Sequence, residues 1–198
     1  MGIEAVSKQS KASILLFGLG ATGVEIAKNI ILSGCKRISI ADENNTQITD
    51  LSGQFFLDQE DIGKNRVDAC LYKLQELNHY VRVEGLKFAE ENLEILKSYD
   101  VVILTEQNLN RQKLINDYCH KNCIKFIITD CYGPFGQHFN DFGSDFEVLD
   151  KNGEETVEVM IESITNAEKG VVTLLNKQRH PYEDGDAVRI SGVQGMTK

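Results

Sequence analysis

This chain of 198 residues predicts a doubly wound α/β domain with a mostly parallel sheet, followed by a small and incomplete β-rich domain. Three observations carry that prediction. Ala12 to Gly34 reads as strand, glycine turn and helix; two uninterrupted β-branched runs further on are separated by a helical stretch; and beyond Gly133 short strands and turns follow one another without helices.

The elements follow in order. Ile14-Leu15-Leu16-Phe17 is a short apolar strand, Gly18-Leu19-Gly20-Ala21-Thr22-Gly23 is the turn, and the next stretch places Val24, Ala27 and Ile31 on one helical face. Gly34 stands where a left-handed helix cap belongs, and Ile38 and Ile40 alternate in a second strand from Arg37 to Asp42, which completes one βαβ unit. After a loop, Val67, Leu71, Leu74 and Leu77 line one face of a helix from Lys64 to Leu77, and a strand follows at Tyr80 to Val83. Val101-Val102-Ile103-Leu104 and Lys125-Phe126-Ile127-Ile128 are apolar without alternation, as central strands covered on both faces are, with a helix from Arg111 to Lys121 between them. Phe135 to Phe142, Phe146 to Leu149, Val157 to Ile161, Val171 to Leu175 and Ala187 to Ile190 read as strands, and Asp150 to Gly153 as a turn. The boundary is expected near Gly143, giving domains at 1–143 and 144–198, the second a partial barrel or sandwich.

Composition narrows the function. At 41% hydrophobic residues the chain has ample material for a core. A formal charge of −9 without a basic patch argues against nucleic acid or an anionic membrane as partner. Met1 to Ser13 lack a signal peptide, no apolar run reaches membrane-spanning length, and five cysteines, an odd number, read as reduced thiols, so a soluble protein of the cytoplasm and nucleus is expected. Cys119, His120 and Cys123 lack a second ligand pair at metal-site spacing, and no metal site is expected. His120 and His138 stand without a nucleophile pattern and read as structural, and the acidic groups Glu90-Glu91 with Glu94 and Glu154-Glu155 with Glu158 read as solvated faces.

The Gly18, Gly20, Gly23 spacing suits a Rossmann-like loop, in which the glycines turn the chain, admit a phosphate and pack helix on strand. Asp42, at the end of the second strand, stands where an acidic side chain can accept ribose hydroxyls. Two readings of these four residues are open on spacing alone: a nucleotide loop, and a loop kept for geometry with nothing bound.

A longer resemblance bears on that choice. Residues 18–34 (GLGATGVEIAKNIILSG), Asp50 to Phe56 (DLSGQFF), Glu60 to Arg66 (EDIGKNR) and Phe135 to Gly143 (FGQHFNDFG) resemble the first half of ubiquitin-activating enzymes. The likeness continues through Phe146 to Asp150, Gly153 to Glu155, Gly170 to Thr173 and Ser191 to Met196, which are similar to the family's first catalytic-cysteine half-domain. The family's enzymes pair an active adenylation half, which uses Mg-ATP, with an inactive copy. Where the active half carries Asn-Leu-Asn-Arg-Gln-Phe, this chain has Asp50-Leu51-Ser52-Gly53-Gln54-Phe55, so the asparagine and arginine that contact ATP are replaced by Ser52 and Gly53. The family's Asp-x-x-Lys-x-Lys is matched by Asp61, Lys64 and Arg66, a mild change. The run Leu104 to Arg111 (LTEQNLNR) lacks the magnesium-binding aspartate of the active half.

The resemblance therefore implies the inactive half. Its expected role is a scaffold supporting the active adenylation half and ubiquitin binding within an enzyme that adenylates the ubiquitin C-terminus with Mg-ATP and forms a thioester. It implies no catalytic residue, no metal and no cofactor in this segment, with Gly18, Gly20, Gly23 and Asp42 a vestigial nucleotide loop. The catalytic cysteine is expected outside the chain, which lacks the family's leading Tyr-Ser-Arg-Gln segment. Two alternatives stand beside it: a domain of an NAD(P)-dependent oxidoreductase, and the same role for another ubiquitin-like modifier.

Overall fold

The structure is a computed structural model that describes residues 3–89, 92–148, 157–177 and 179–194. The expected turn at Asp150 to Gly153, the Leu149 end of one expected strand, the pairs Glu90-Glu91 and Glu154-Glu155, and the Gly195-Met196 end of the resemblance lie outside the described residues. The chain divides into two compact units, Met1–Lys151 and Asn152–Lys198.

In the first unit the chain runs α1 (Ile3–Gln9), β1 (Ser13–Phe17), α2 (Ala21–Ser33), β2 (Arg37–Ala41), α3 (Arg66–Gln75), β3 (Arg82–Gly85), β4 (Val101–Leu104), α4 (Leu109–Lys121), β5 (Lys125–Tyr132) and β6 (Phe135–Asp141), with short 3-10 turns at Ile48–Ser52, Gln59–Asp61 and Leu93–Ser98. The sheet order is β3-β2-β1-β4-β5-β6; the first five strands are parallel and β6 returns antiparallel to β5. This is the Rossmann-like, mostly parallel sheet expected from the sequence.

The uninterrupted apolar strands have a simple cause: both faces of the sheet are buried. Leu16, Ile38, Ile40 and Ile103 pack with α2 and α3 through Val24, Ala27, Ile31, Val67, Cys70 and Leu74. On the other face Leu15, Phe17, Val102, Leu104, Phe126 and Ile128 pack with Ile115 and Cys119 of α4. Each fully buried side chain of this size stabilises the fold by roughly 1.5–3 kcal/mol. The helices end where the residue types say they should: Gly34 caps α2 at φ 84° and returns its N–H to Ile31 O, while Asn65 and Asn108 cap the starts of α3 and α4 with their side-chain oxygens.

Several expectations shift. The strand expected at Tyr80 to Val83 is Arg82–Gly85, because the Tyr80 N–H donates to Asn78 Oδ1 and the Val81 N–H to Asn78 O, a turn that delays the strand. Phe135–Asp141 forms as expected, and it extends the main sheet by pairing along β5. Phe146 to Val148 is not a strand; Phe146 instead packs its ring against Phe142, centroids 5.0 Å apart. In the second unit the strand expected at Val157 to Ile161 begins only at its end, as β7 (Ile161–Ile164), and pairs antiparallel with β8 (Val172–Leu174). Ala187 to Ile190 stays irregular. A strand needs a neighbour as well as a pattern, and among the described residues the second unit offers one such pair rather than a barrel.

Candidate functional site

In a doubly wound sheet, ligands bind beyond the carboxyl ends of the strands where the strand order reverses. Here that place lies between β1 and β4. A cleft of about 800 Å³ opens beside it, lined among others by Asp42, Asn65, Asp68, Glu106 and Arg111.

The glycine loop leaves β1 at this edge. Gly18 has φ 89° and donates its N–H to Ala41 O at 2.8 Å, and a Cβ there would fall 2.3 Å from Thr105 O. Thr105, wholly buried, directs its hydroxyl at both Phe17 O and Gly18 O, each at 3.1 Å. Gly23 rests on the Gly18 carbonyl, which a Cβ would approach to 2.0 Å. At Gly20, the residue before α2, a Cβ would lie 1.8 Å from Oε1 of Glu106. The three glycines are thus each pressed by a neighbour, and at Gly20 that neighbour is a carboxylate.

Asp42 is turned into the loop. Its Oδ2 accepts the Leu19 N–H at 2.7 Å and its Oδ1 the Asn44 N–H at 2.8 Å, and its side chain is 1% exposed. Arg66, at the start of α3, joins it: Nη1 meets Asp42 at 3.3 Å and Glu106 Oε2 at 2.9 Å, while Nε and Nη2 form a fork on Asp50 at 3.0 and 2.7 Å. Burial works against the guanidinium's charge, yet the hydrogen bonds it donates to Asp50 and the charges of Asp42, Asp50 and Glu106 outweigh it and push its pKa up. Partial burial likewise opposes the charge on Asp50, and Arg66 with the Gln47 N–H overrides it and draws the carboxyl below its usual range.

The residues that depart from the active-half pattern occupy other places. Ser52 returns its hydroxyl to Thr49 O at 2.8 Å, and the Gly53 backbone lies so close to helix α2 that a Cβ would stand 2.8 Å from Ala21 Cβ. A side chain there would force either the loop or α2 to shift. Asp61 pairs with Lys64 at 2.9 Å and lies within 3.8 Å of Lys73. Sequence reading passed over three side chains that shape the site: Glu106, already placed on Gly20, and Gln54 and Asp130. Gln54, wholly buried, donates to Leu19 O and ties the 50s loop to the glycine loop. Asp130, near the end of β5 and 3% exposed, accepts the Glu106 N–H through Oδ1, with Gln112 at its other oxygen. Gln54 lay within a quoted motif without a role; for Asp130 the only signal was a carboxylate closing an apolar strand.

The remaining candidates are dispersed. His120 meets both carboxylate oxygens of Asp141 at 3.0 Å, and His138 is exposed on β6. Cys119 is buried beside Ile115 and burial pushes its thiol up to about 12, whereas Cys123 is exposed, so these two and His120 do not converge. No group of three His, Cys, Asp or Glu side chains suited to a metal ion occurs among the described residues, and no described helix is long and apolar enough to cross a membrane.

With this geometry in place, comparison with known proteins gives a consistent result. The ThiF family model matches residues 1–177, and the model of the ubiquitin-activating enzyme E1 FCCH domain matches residues 167–198. The chain is 43% identical to mouse (Mus musculus) ubiquitin-like modifier-activating enzyme 1 over 99% of its own length and 18% of that protein. It is 43% identical to ubiquitin-activating enzyme E1 1 of Schizosaccharomyces pombe, over 99% of the chain and 19% of that protein, and 42% identical to human (Homo sapiens) ubiquitin-like modifier-activating enzyme 6, over 100% and 19%. The chain thus spans less than a fifth of the length of these relatives. Among solved structures, E. coli MccB with MccA-N7isoASN superposes at TM-score 0.64, with 17% identity over 77% of this chain and 47% of that one, a likeness of fold. The oxidoreductase alternative finds no favour in these matches.

Proposed function

The chain belongs to the ThiF family, and on that premise we propose that it is a scaffold segment of a ubiquitin-activating enzyme, itself without catalytic activity. In this reading the parent enzyme adenylates the ubiquitin C-terminus with Mg-ATP and forms a thioester with it, in the cytoplasm and nucleus. This segment supports the active adenylation half and ubiquitin binding, and holds no cofactor.

The observation that carries the reading is the charge balance at the glycine loop, where one guanidinium, Arg66, is shared by three carboxylates, Asp42, Asp50 and Glu106. Adenylation spreads negative charge over phosphate oxygens, and a catalytic site meets it with cations whose donors are free to turn to the substrate. Arg66 has turned to the protein's own acids. The carboxylates are no better disposed toward Mg²⁺: Asp42 accepts two backbone N–H groups and Arg66, and Asp130 holds the Glu106 N–H. Of the five thiols, Cys35, Cys70 and Cys119 do not suit acyl transfer, being buried with their pKa values raised, chiefly by that burial, while Cys123 and Cys131 are exposed.

Calorimetric titration of the chain with Mg-ATP, and separately with NAD, tests the reading. No heat with either is expected. Saturable Mg-ATP binding, or a thioester formed on the chain when ubiquitin is added, overturns it.

A further inference from the structure

We propose that Glu106 is a built-in anion that closes the glycine loop, standing where a ligand's phosphate sits on such loops, and that removing it uncovers a site for a phosphate monoester. The inference deepens the non-catalytic reading and rests on it.

The contact at Gly20 comes first. The three atoms nearest to a Cβ built on Gly20 all belong to the Glu106 carboxylate, at 1.8, 2.5 and 2.6 Å. In dinucleotide-binding loops the middle glycine lets the backbone approach a pyrophosphate; here it lets the backbone approach a carboxylate of the same chain. Surroundings match the charge of the group. Gly20 precedes the thirteen-residue helix α2 and makes no side-chain cap, so the carboxylate lies at a helix N-terminus, where negative charge is favoured. Arg66 Nη1 donates to Oε2 at 2.9 Å, an arginine–carboxylate contact of the kind an arginine makes with phosphate.

Glu106 is also held in place against local preference. Its φ is 57°, the left-handed region that a glutamate rarely adopts, and the buried Asp130 fixes the conformation through the Glu106 N–H. The adjoining cleft of about 800 Å³ has room for a nucleoside. Space is therefore not what closes the site; the closure is the carboxylate on Gly20 together with the arginine it occupies.

The test uses the 198-residue chain with Glu106→Gly, which relieves the left-handed backbone, and Glu106→Gln, which keeps the shape and loses the charge. Each is titrated calorimetrically with AMP, inorganic phosphate and adenosine. The expected result is no heat for the wild type and, for Glu106→Gly, AMP and phosphate binding at least about tenfold tighter than wild type, weakening with salt, with adenosine alone silent. Glu106→Gln should fall between the two, since its side chain still covers Gly20. A folded Glu106→Gly chain as silent as the wild type overturns the inference and leaves the scaffold reading standing; a wild-type chain that binds Mg-ATP overturns both. Adenosine binding as tight as AMP binding also overturns it, because the uncovered site would then not be one for phosphate. A second measurement does not depend on ligand. Gly20→Ala should lower the melting midpoint of the wild type and of Glu106→Gln markedly, and that of Glu106→Gly much less; equal losses in all three backgrounds would show that the carboxylate does not rest on Gly20.

Discussion

Two loops leave the same edge of the sheet from neighbouring strands, β1 and β4, and they are built on opposite plans. The loop after β1 gives up side chains at Gly18, Gly20 and Gly23, and its helix starts without a side-chain cap. The loop after β4 is crowded with them: Thr105 lies on Gly18, Glu106 on Gly20, and Asn108 caps α4 by accepting the Arg111 N–H at 2.9 Å. One loop is the mould of the other. A glycine motif therefore reports where side chains are missing, and what fills the space is written some eighty-seven residues away, the separation between Gly18 and Thr105.

The strongest way to break this fit is Gly18→Ala, which sets a Cβ against the Thr105 backbone carbonyl and forces an alanine to φ 89°. A loss of about 4 kcal/mol is expected by urea unfolding, since backbone strain and overpacking add. Arg66→Ala should cost about 3 kcal/mol by the same measurement, because Asp42 and Asp50, 1% and 11% exposed, lose their shared cation. Thr105→Val keeps the shape and removes the hydroxyl that serves Phe17 O and Gly18 O, for about 1 kcal/mol. Asn108→Ala removes the cap of the crowded loop at a similar or slightly smaller cost. A Thr105→Val loss as large as that of Gly18→Ala would mean that the hydroxyl, rather than backbone contact, joins the loops.

The smallest effect lies away from both loops and serves as a control. The His120 hydrogen bond, helped by the Gly143 N–H, draws the Asp141 carboxyl below its usual range. A depressed carboxyl contributes stability that is complete above its unfolded pKa and is lost as pH falls through its folded value. Asp141→Asn should therefore shallow the acid limb of stability between those values by less than about 1 kcal/mol, the pair being partly solvated with His120 48% exposed, and should leave the neutral-pH effects of Gly18→Ala and Arg66→Ala unchanged.

Much of the sheet was legible because strands buried on both faces leave a signature that local reading recovers: Ile14 to Phe17, Val101 to Leu104 and Lys125 to Ile128 needed no partner to be recognised. Helix α1 was not, since Ile3 and Val6, 90% and 52% exposed, put no apolar stripe against a core. Strands inferred at Phe146 and Ala187 failed for the converse reason: β-forming residues were present, and no neighbouring strand takes them up among the described residues. In the site, the glycines and Asp42 announced themselves by spacing. Glu106, Asp130 and Gln54 did not, because a carboxylate on a glycine, a carboxylate on a strained N–H and an amide between two loops are relations between distant segments.

The position of β1 in the sheet also has a consequence for how the chain is made. Among the strands of this sheet it comes first in chain order and it ends up in the interior, bordered by β2 after some twenty residues and by β4 only when Val101–Leu104 appear. Until then its second edge, carrying Leu15, Leu16 and Phe17, is an open row of backbone donors and acceptors with nothing alongside, the kind of edge that recruits stray strands. The late contacts, the Ser13 N–H to Asp100 and the Thr105 hydroxyl to the glycine loop, close that edge at both ends, so Thr105, which shapes the mature site, also helps to end the interval in which that edge stands open.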